Sequence, residues 1–150
     1  MDRKLISIGG GHSKVEFCDL FTRDRDLIHV KRYGGSGLLS HLFSQGVVSG
    51  QLFVSDVTFR KSVNALLPAS YKLADFRPRP DASAFRIVFA IVSAEKGKTL
   101  TLPFFSRLNA RHAVQAMQGY GYRVELTKIR VDDAVAKMKK FTKPKRKKAA

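Results

Sequence analysis

From Phe85 to Val92 the chain reads Phe-Arg-Ile-Val-Phe-Ala-Ile-Val, apolar at every position except Arg86. A short run of β-branched and aromatic residues without polar alternation is the pattern of a strand covered on both faces, as found at the centre of a parallel or mixed sheet. Such a strand needs hydrogen-bonded neighbours on both edges and packed material above and below it, so the rest of the 150 residues must supply them.

The neighbours are legible on either side. Leu5-Ile6-Ser7-Ile8 is a short apolar run closed by Gly9-Gly10-Gly11. Val15 to Phe21 is rich in β-formers, Thr22 to Asp26 is a polar turn, and Leu27 to Tyr33 returns as a strand, which together predict a β-hairpin. Gly34-Gly35-Ser36-Gly37 breaks the strand, and Ser36 is placed to cap a helix carrying Leu38, Leu39, Leu42 and Phe43, whose end Gly46 and Gly50 blur. Asp56 caps a second helix with Phe59, Val63, Leu66 and Leu67 on its apolar stripe and Pro68 beyond its end; Arg60 and Lys61 then face solvent. Residues 69–84 form an irregular basic loop that orders on a ligand. After the central strand, Asn109 caps a helix running to about Gln118, and Tyr122 to Ile129 alternates like a strand. Strands alternating with helices predict an α/β fold, with one domain over residues 1–136 and a disordered basic tail over 137–150.

Charge narrows the function. Lys and Arg number 28 against 12 acids, a net charge of +16. Eight of the basic residues lie in 137–148, where there is no acid, so the body keeps twenty against twelve, +8. Body and tail alike attract a polyanion by neutralising phosphates and releasing counterions. Nucleic acid is therefore the expected partner, DNA ahead of RNA. Arg32, Ser36, His41, Arg77, Arg79, Lys143, Lys145, Arg146, Lys147 and Lys148 are the residues expected to contact it. A membrane partner is not expected, because no apolar run approaches the roughly 20 residues of a span and no amphipathic helix with bulky anchors adjoins the tail. Cys18, the single cysteine, allows no intrachain disulfide and points to a reducing, cytoplasmic setting. A homodimer is left open.

The hairpin carries the chemistry. Residues two apart on a strand share a face, so His29 and Lys31 project together while Ile28 and Val30 point the other way; the pair is expected to leave the core. Asp19 shares a face with Phe17 and Phe21, and Glu16 falls on the other face unless a bulge intervenes. An odd-numbered turn sets Asp19 opposite His29 or Lys31, whereas a two-residue turn at Asp24-Arg25 sets it opposite Val30. Thr22-Arg23-Asp24-Arg25-Asp26 lacks the Asn-Gly or Asp-Gly of two-residue turns and favours the longer one. An acid on one strand facing a polar residue, an apolar residue and a lysine on the next suits metal-dependent phosphodiester cleavage. The carboxylate holds a divalent ion that activates water, and the lysine stabilises the charge that develops.

Asp19 followed by His29-Val30-Lys31 resembles the Asp then Asp/Glu-x-Lys signature of the restriction-endonuclease-like nucleases, with Gln45 on the next helix. The resemblance implies a central mixed sheet flanked by helices, Mg²⁺ or Mn²⁺ as cofactor, Asp19, Glu16 and His29 as metal ligands, and Asp19, His29, Lys31 and Gln45 as the catalytic set. His29 departs from the signature, an imidazole standing where a carboxylate is usual. Glu16-Phe17-Cys18-Asp19-Leu20, Ile28-His29-Val30-Lys31-Arg32-Tyr33, Ser40 to Gly46, Leu102 to Ser106, Asn109 and Gly119 to Tyr122 also resemble a sporadically distributed bacterial family of large proteins of unknown function. That family is connected with mobile-element and phage-defence neighbourhoods. The likeness spans roughly residues 1–130 and implies that the chain corresponds to the end of a longer protein.

Competing motifs fail on spacing. Gly9 to Lys14 lacks the spaced second glycine followed by Lys and Ser/Thr of a phosphate loop, and Leu38 stands where a nucleophile elbow needs glycine. His29-Val30-Lys31 is half of a phospholipase-D-type motif, but Ser36 occupies its aspartate position and no second copy exists. A non-catalytic nucleic-acid-binding module and a ribosomal-type RNA-binding protein are the alternatives to a nuclease.

Overall fold

The computed structural model describes residues 5–8, 13–95, 97 and 99–131. The basic tail, with Lys143, Lys145, Arg146, Lys147 and Lys148, lies outside the described residues, as does the boundary expected at 136.

Strands β1 (Leu5–Ile8) and β2 (Ser13–Glu16) pair antiparallel as a two-stranded sheet of their own. The main sheet has the order β3-β4-β5-β6, built from Leu20–Phe21, Asp26–Arg32, Arg86–Ser93 and Arg123–Arg130. β3 and β4 are antiparallel, and β4, β5 and β6 are parallel, so the sheet is mixed. Helices α1 (Ser36–Ser55) and α2 (Val57–Leu66) connect β4 to β5, and α3 (Phe104–Gly119) connects β5 to β6. β5 occupies the interior as its composition requires: Ile87, Phe89 and Ile91 are buried on one face, Val88 and Ala90 on the other.

The helix-covered face carries Leu27 and His29 of β4 beside Ile87 and Phe89 of β5. Phenylalanine rings fill the space above it. Phe17 packs on Phe53 at 5.1 Å, Phe53 on Phe85 at 5.0 Å, and Phe43 on Phe89 at 5.3 Å, in tilted or edge-on arrangements. α1 runs unbroken through Gly46 and Gly50, which bring it close to the sheet instead of ending it. A Cβ at Gly46 would stand 2.4 Å from the Phe89 ring, and one at Gly50 would stand 2.8 Å from Ile87 Cδ1 and Met117 Sδ.

Four local expectations are corrected. α3 begins at Phe104, behind Pro103, and not at Asn109, whose amide instead donates to Ser40 Oγ across the α1–α3 seam at 2.7 Å. Ser36 is the first helical residue of α1 and Gly35 the cap position, with the Leu38 amide donating to the Gly35 carbonyl. Arg60 does not face solvent: at 3% exposure it donates to the carbonyls of Phe53, Phe76 and Arg77, at 2.7 to 3.1 Å. That guanidinium, with Asn64 Oδ1 accepting from the Leu73 amide and 3-10 turns at Ala69–Tyr71 and Ala82–Ala84, orders the segment expected to wait for a ligand.

Candidate functional site

The register of the hairpin decides which side chains can cooperate. Leu20 faces Ile28 and Phe21 faces Leu27, and the Thr22 amide donates to the Asp26 carbonyl, leaving Arg23, Asp24 and Arg25 as a three-residue turn. Arg25 takes the left-handed conformation, φ 63°, that closes such a turn. The count is odd, so a regular ladder carried on from Leu20 would set Asp19 across from His29. The ladder is irregular there. The Asp19 amide donates to the carbonyl of Ile28, the residue Leu20 already faces, which makes a bulge, and the Asp19 carboxylate turns to accept the Val30 amide at 2.6 Å.

His29 and Lys31 share a face, as alternation requires, but it is the face that α1 covers. His29 is 2% exposed; its Nε2 lies 3.3 Å from Ser49 Oγ, and its ring is 6.2 Å from that of Phe89. The expectation that His29 leaves the core with Lys31 is therefore corrected. Burial pushes the imidazole down to about 4, outweighing the upward pull of Asp19, while Lys31 adds to the downward push. His29 is accordingly neutral near pH 7. Lys31, opposite Ile91 near the carboxyl end of β4, is half-buried. Cys18 is buried between the fields of Asp19 and Glu16, and desolvation pushes its thiol up to about 12, so it is no reactive nucleophile.

Glu16, His41 and Gln45 meet elsewhere. With Lys14, Ser44 and Val48 they line an open groove of about 380 Å³ between β2 and α1. His41 and Gln45 sit one turn apart on α1, as their spacing predicts. The expected site residues thus divide into the bulged hairpin, with Asp19, His29 and Lys31, and this groove.

A family model matches residues 1–130, and its description is a family of unknown function, DUF6119. The chain belongs to that family. No curated protein and no solved structure matches it. The DUF6119 match covers every described strand and helix, so the hairpin, the groove and the helix-covered face are all features of the family's region.

Among the described residues no group of three or more His, Cys, Asp or Glu side chains is arranged to hold an ion. His29 offers its Nε2 to Ser49 beneath α1, and Glu16 opens on the β2–α1 groove. Asp19, Glu16 and His29 therefore do not fit as one Mg²⁺ or Mn²⁺ site. Of the residues expected to touch nucleic acid, Arg32, Ser36, His41, Arg77 and Arg79 are all exposed. No described helix is long and apolar enough to cross a membrane.

Sequence reasoning missed Arg60, Ser49 and the aromatic start of α3. Alternation states which residues share a face and is silent on which face is inward, so a buried histidine and a buried arginine read like solvent-facing ones.

Proposed function

We propose that the chain is a nucleic-acid-binding module that grips the phosphate backbone, with the bulged hairpin serving as scaffold. The observation that supports this reading is the +16 charge together with where the basic groups stand: Arg32, Lys61, Lys72, Arg77, Arg79 and Arg107 are exposed. Several of the acids are engaged in the fold. Asp26 and Glu125 hold Arg86 at 2.9 and 3.0 Å, Asp56 caps α2, Asp81 caps a 3-10 turn, and Asp19 accepts the Val30 amide.

The architecture adds a direction. The Ser40–Asn109 bond and the Gly50–Met117 approach place α1 and α3 side by side and pointing the same way, with their N-termini towards the carboxyl ends of β4 and β5. Lys31 and Arg32 lie at that end of β4. In open α/β sheets ligands gather outside the carboxyl ends of the strands, and helix N-termini favour anions there. The setting proposed is cytoplasmic, with DNA ahead of RNA.

Titrating labelled oligonucleotides at rising salt tests the reading. The logarithm of affinity should fall linearly with log salt, by about 0.9 per phosphate contacted on a duplex or about 0.7 on a single strand. Binding should be indifferent to EDTA. A slope near zero, or no binding at low salt, would refute it.

One observation favours a second reading, phosphodiester hydrolysis within a restriction-endonuclease-like fold: the Asp19 carboxylate, turned by the bulge, accepts the amide of Val30, the residue between His29 and Lys31. In that reading Lys31 stabilises charge developing on the phosphate and Gln45 supports it. Incubation of DNA and RNA with Mg²⁺ or Mn²⁺ should then give cleavage that is lost in Lys31→Ala.

A further inference from the structure

α3 opens with two phenyl rings on the surface. Phe104 is 65% and Phe105 67% exposed, and their centroids stand 5.4 Å apart in an edge-on pair; Leu108, one turn on, is 40% exposed. Large apolar side chains are this exposed at little structural benefit, and a cluster of them marks a binding surface. Phe104 and Leu108 share their face with Arg107 and Arg111, and the four line a shallow groove of about 320 Å³. The face is thus a helical stripe in which aromatic and aliphatic groups alternate with guanidinium groups.

The charge around the stripe selects its occupant. Between Glu95 and Glu125 the sequence holds five Lys or Arg and no acid. A second copy docking through the same stripe would set Arg107 and Arg111 near their own counterparts across a two-fold axis, a like-charge contact. A polyanion that also carries flat apolar faces matches both halves of the stripe. Unpaired bases stack on aromatic rings while the backbone runs past basic groups, and duplex DNA, whose bases are already stacked on one another, offers only the second interaction.

We infer that the first turns of α3 form a stacking platform for single-stranded nucleic acid, with bases on Phe104 and Phe105 and phosphates on Arg107 and Arg111. This rests on the nucleic-acid reading above and narrows it to unpaired strands. The platform lies at the N-terminal end of α3, on the side of the sheet where Lys31 and Arg32 end β4, so one strand passing over it continues towards those groups.

The test uses the full chain with labelled oligo-dT, oligo-U, a DNA duplex and heparin as probes, comparing the parent with Phe104→Ala/Phe105→Ala, Phe104→Tyr/Phe105→Tyr and Arg107→Ala/Arg111→Ala. The alanine pair should bind single strands about tenfold or more weakly, with duplex and heparin binding unchanged and an unaltered circular dichroism spectrum. The tyrosine pair should bind like the parent, since it keeps the rings. The arginine pair should lower the salt slope for single strands by about 1.4, two phosphates' worth. Unchanged single-strand affinity in the alanine pair would overturn the platform while leaving general nucleic-acid binding standing. An equal loss on heparin would overturn it too, because heparin has no bases. Conversion of a dimer to a monomer without a change in binding would assign the rings to self-association instead. If the parent binds none of the four probes, the broader reading fails first.

Discussion

The seam between β4 and α1 buries an imidazole at 2% exposure, and α2 buries a guanidinium at 3%, whereas the first turns of α3 leave two phenyl rings at 65% and 67%. Depth and polarity are exchanged between the two regions. In the first, the polar groups are paid for by partners: Ser49 for His29, and the carbonyls of Phe53, Phe76 and Arg77 for Arg60. In the second, the apolar groups have basic neighbours and solvent. Buried polar groups with saturated partners belong to the scaffold, while exposed aromatic groups among cations belong to recognition. Position along the hairpin, where the chemistry was expected, is a weaker guide to function than this exchange.

The comparison breaks most visibly at Arg60. Removing its guanidinium strips three carbonyls of their donor and opens a gap under the 72–80 segment, so Arg60→Ala should cost about 3 to 4 kcal/mol in urea unfolding. Arg60→Met, which keeps the aliphatic stem, should recover only part of that. Amide exchange over residues 73–79 should accelerate in both. If Arg60→Ala unfolds like the parent, the buried-scaffold side of the comparison is wrong.

His29 gives the next largest effect, and its sign is fixed by direction. The folded imidazole sits at about 4, below its ordinary 6.5, so the unfolded chain binds the extra proton between those values. The associated stability is fully present above pH 6.5 and is lost as pH falls towards about 4, by at most about 3 kcal/mol. Urea unfolding from about pH 7 down to about 4 should show this slope in the parent and lose it in His29→Gln. A slope that survives the substitution would place the titrating group elsewhere. Asp26, held below its usual range by Arg86, contributes only on the acid side of that window.

The sequence carried much of the sheet and less of its context. The apolar run broken only by Arg86 announced β5, and the absence of an Asn-Gly turn announced the three-residue turn at Arg23 to Arg25, but not the bulge that shifts Asp19 onto Ile28. Asn109 looked like a helix cap because caps and inter-helix hydrogen bonds draw on the same side chain; its amide goes to Ser40, sixty-nine residues away, which no local pattern encodes. Glycine has the same ambiguity. Gly46 and Gly50 were equally good signals for a helix end and for close packing, and only the ring of Phe89 and the ends of Ile87 and Met117 decide the matter. The two glycines then sharpen the comparison within the seam. At Gly46 a methyl group meets a ring edge at 2.4 Å, so Gly46→Ala should destabilise by about 2 kcal/mol even after the gain in helix propensity. At Gly50 the obstacles are flexible side-chain ends at 2.8 Å, and Gly50→Ala should cost about half as much. Equal effects would mean that the His29–Phe89 layer yields as readily as Met117.

The smallest effect is expected where the rings are outside. Phe104 and Phe105 pack edge-on against each other and are mostly exposed, and neither belongs to the buried core that Phe43, Phe53 and Phe89 build. Replacing both with alanine removes no side chain of that core and puts the strongest helix former at both positions, so the unfolding free energy should move by less than about 0.5 kcal/mol. The same pair of substitutions is expected to weaken single-strand binding at least about tenfold. A large stability loss would turn the rings into structural residues and remove the contrast with His29, whereas neutrality in folding with a loss in binding separates the two regions by what each contributes.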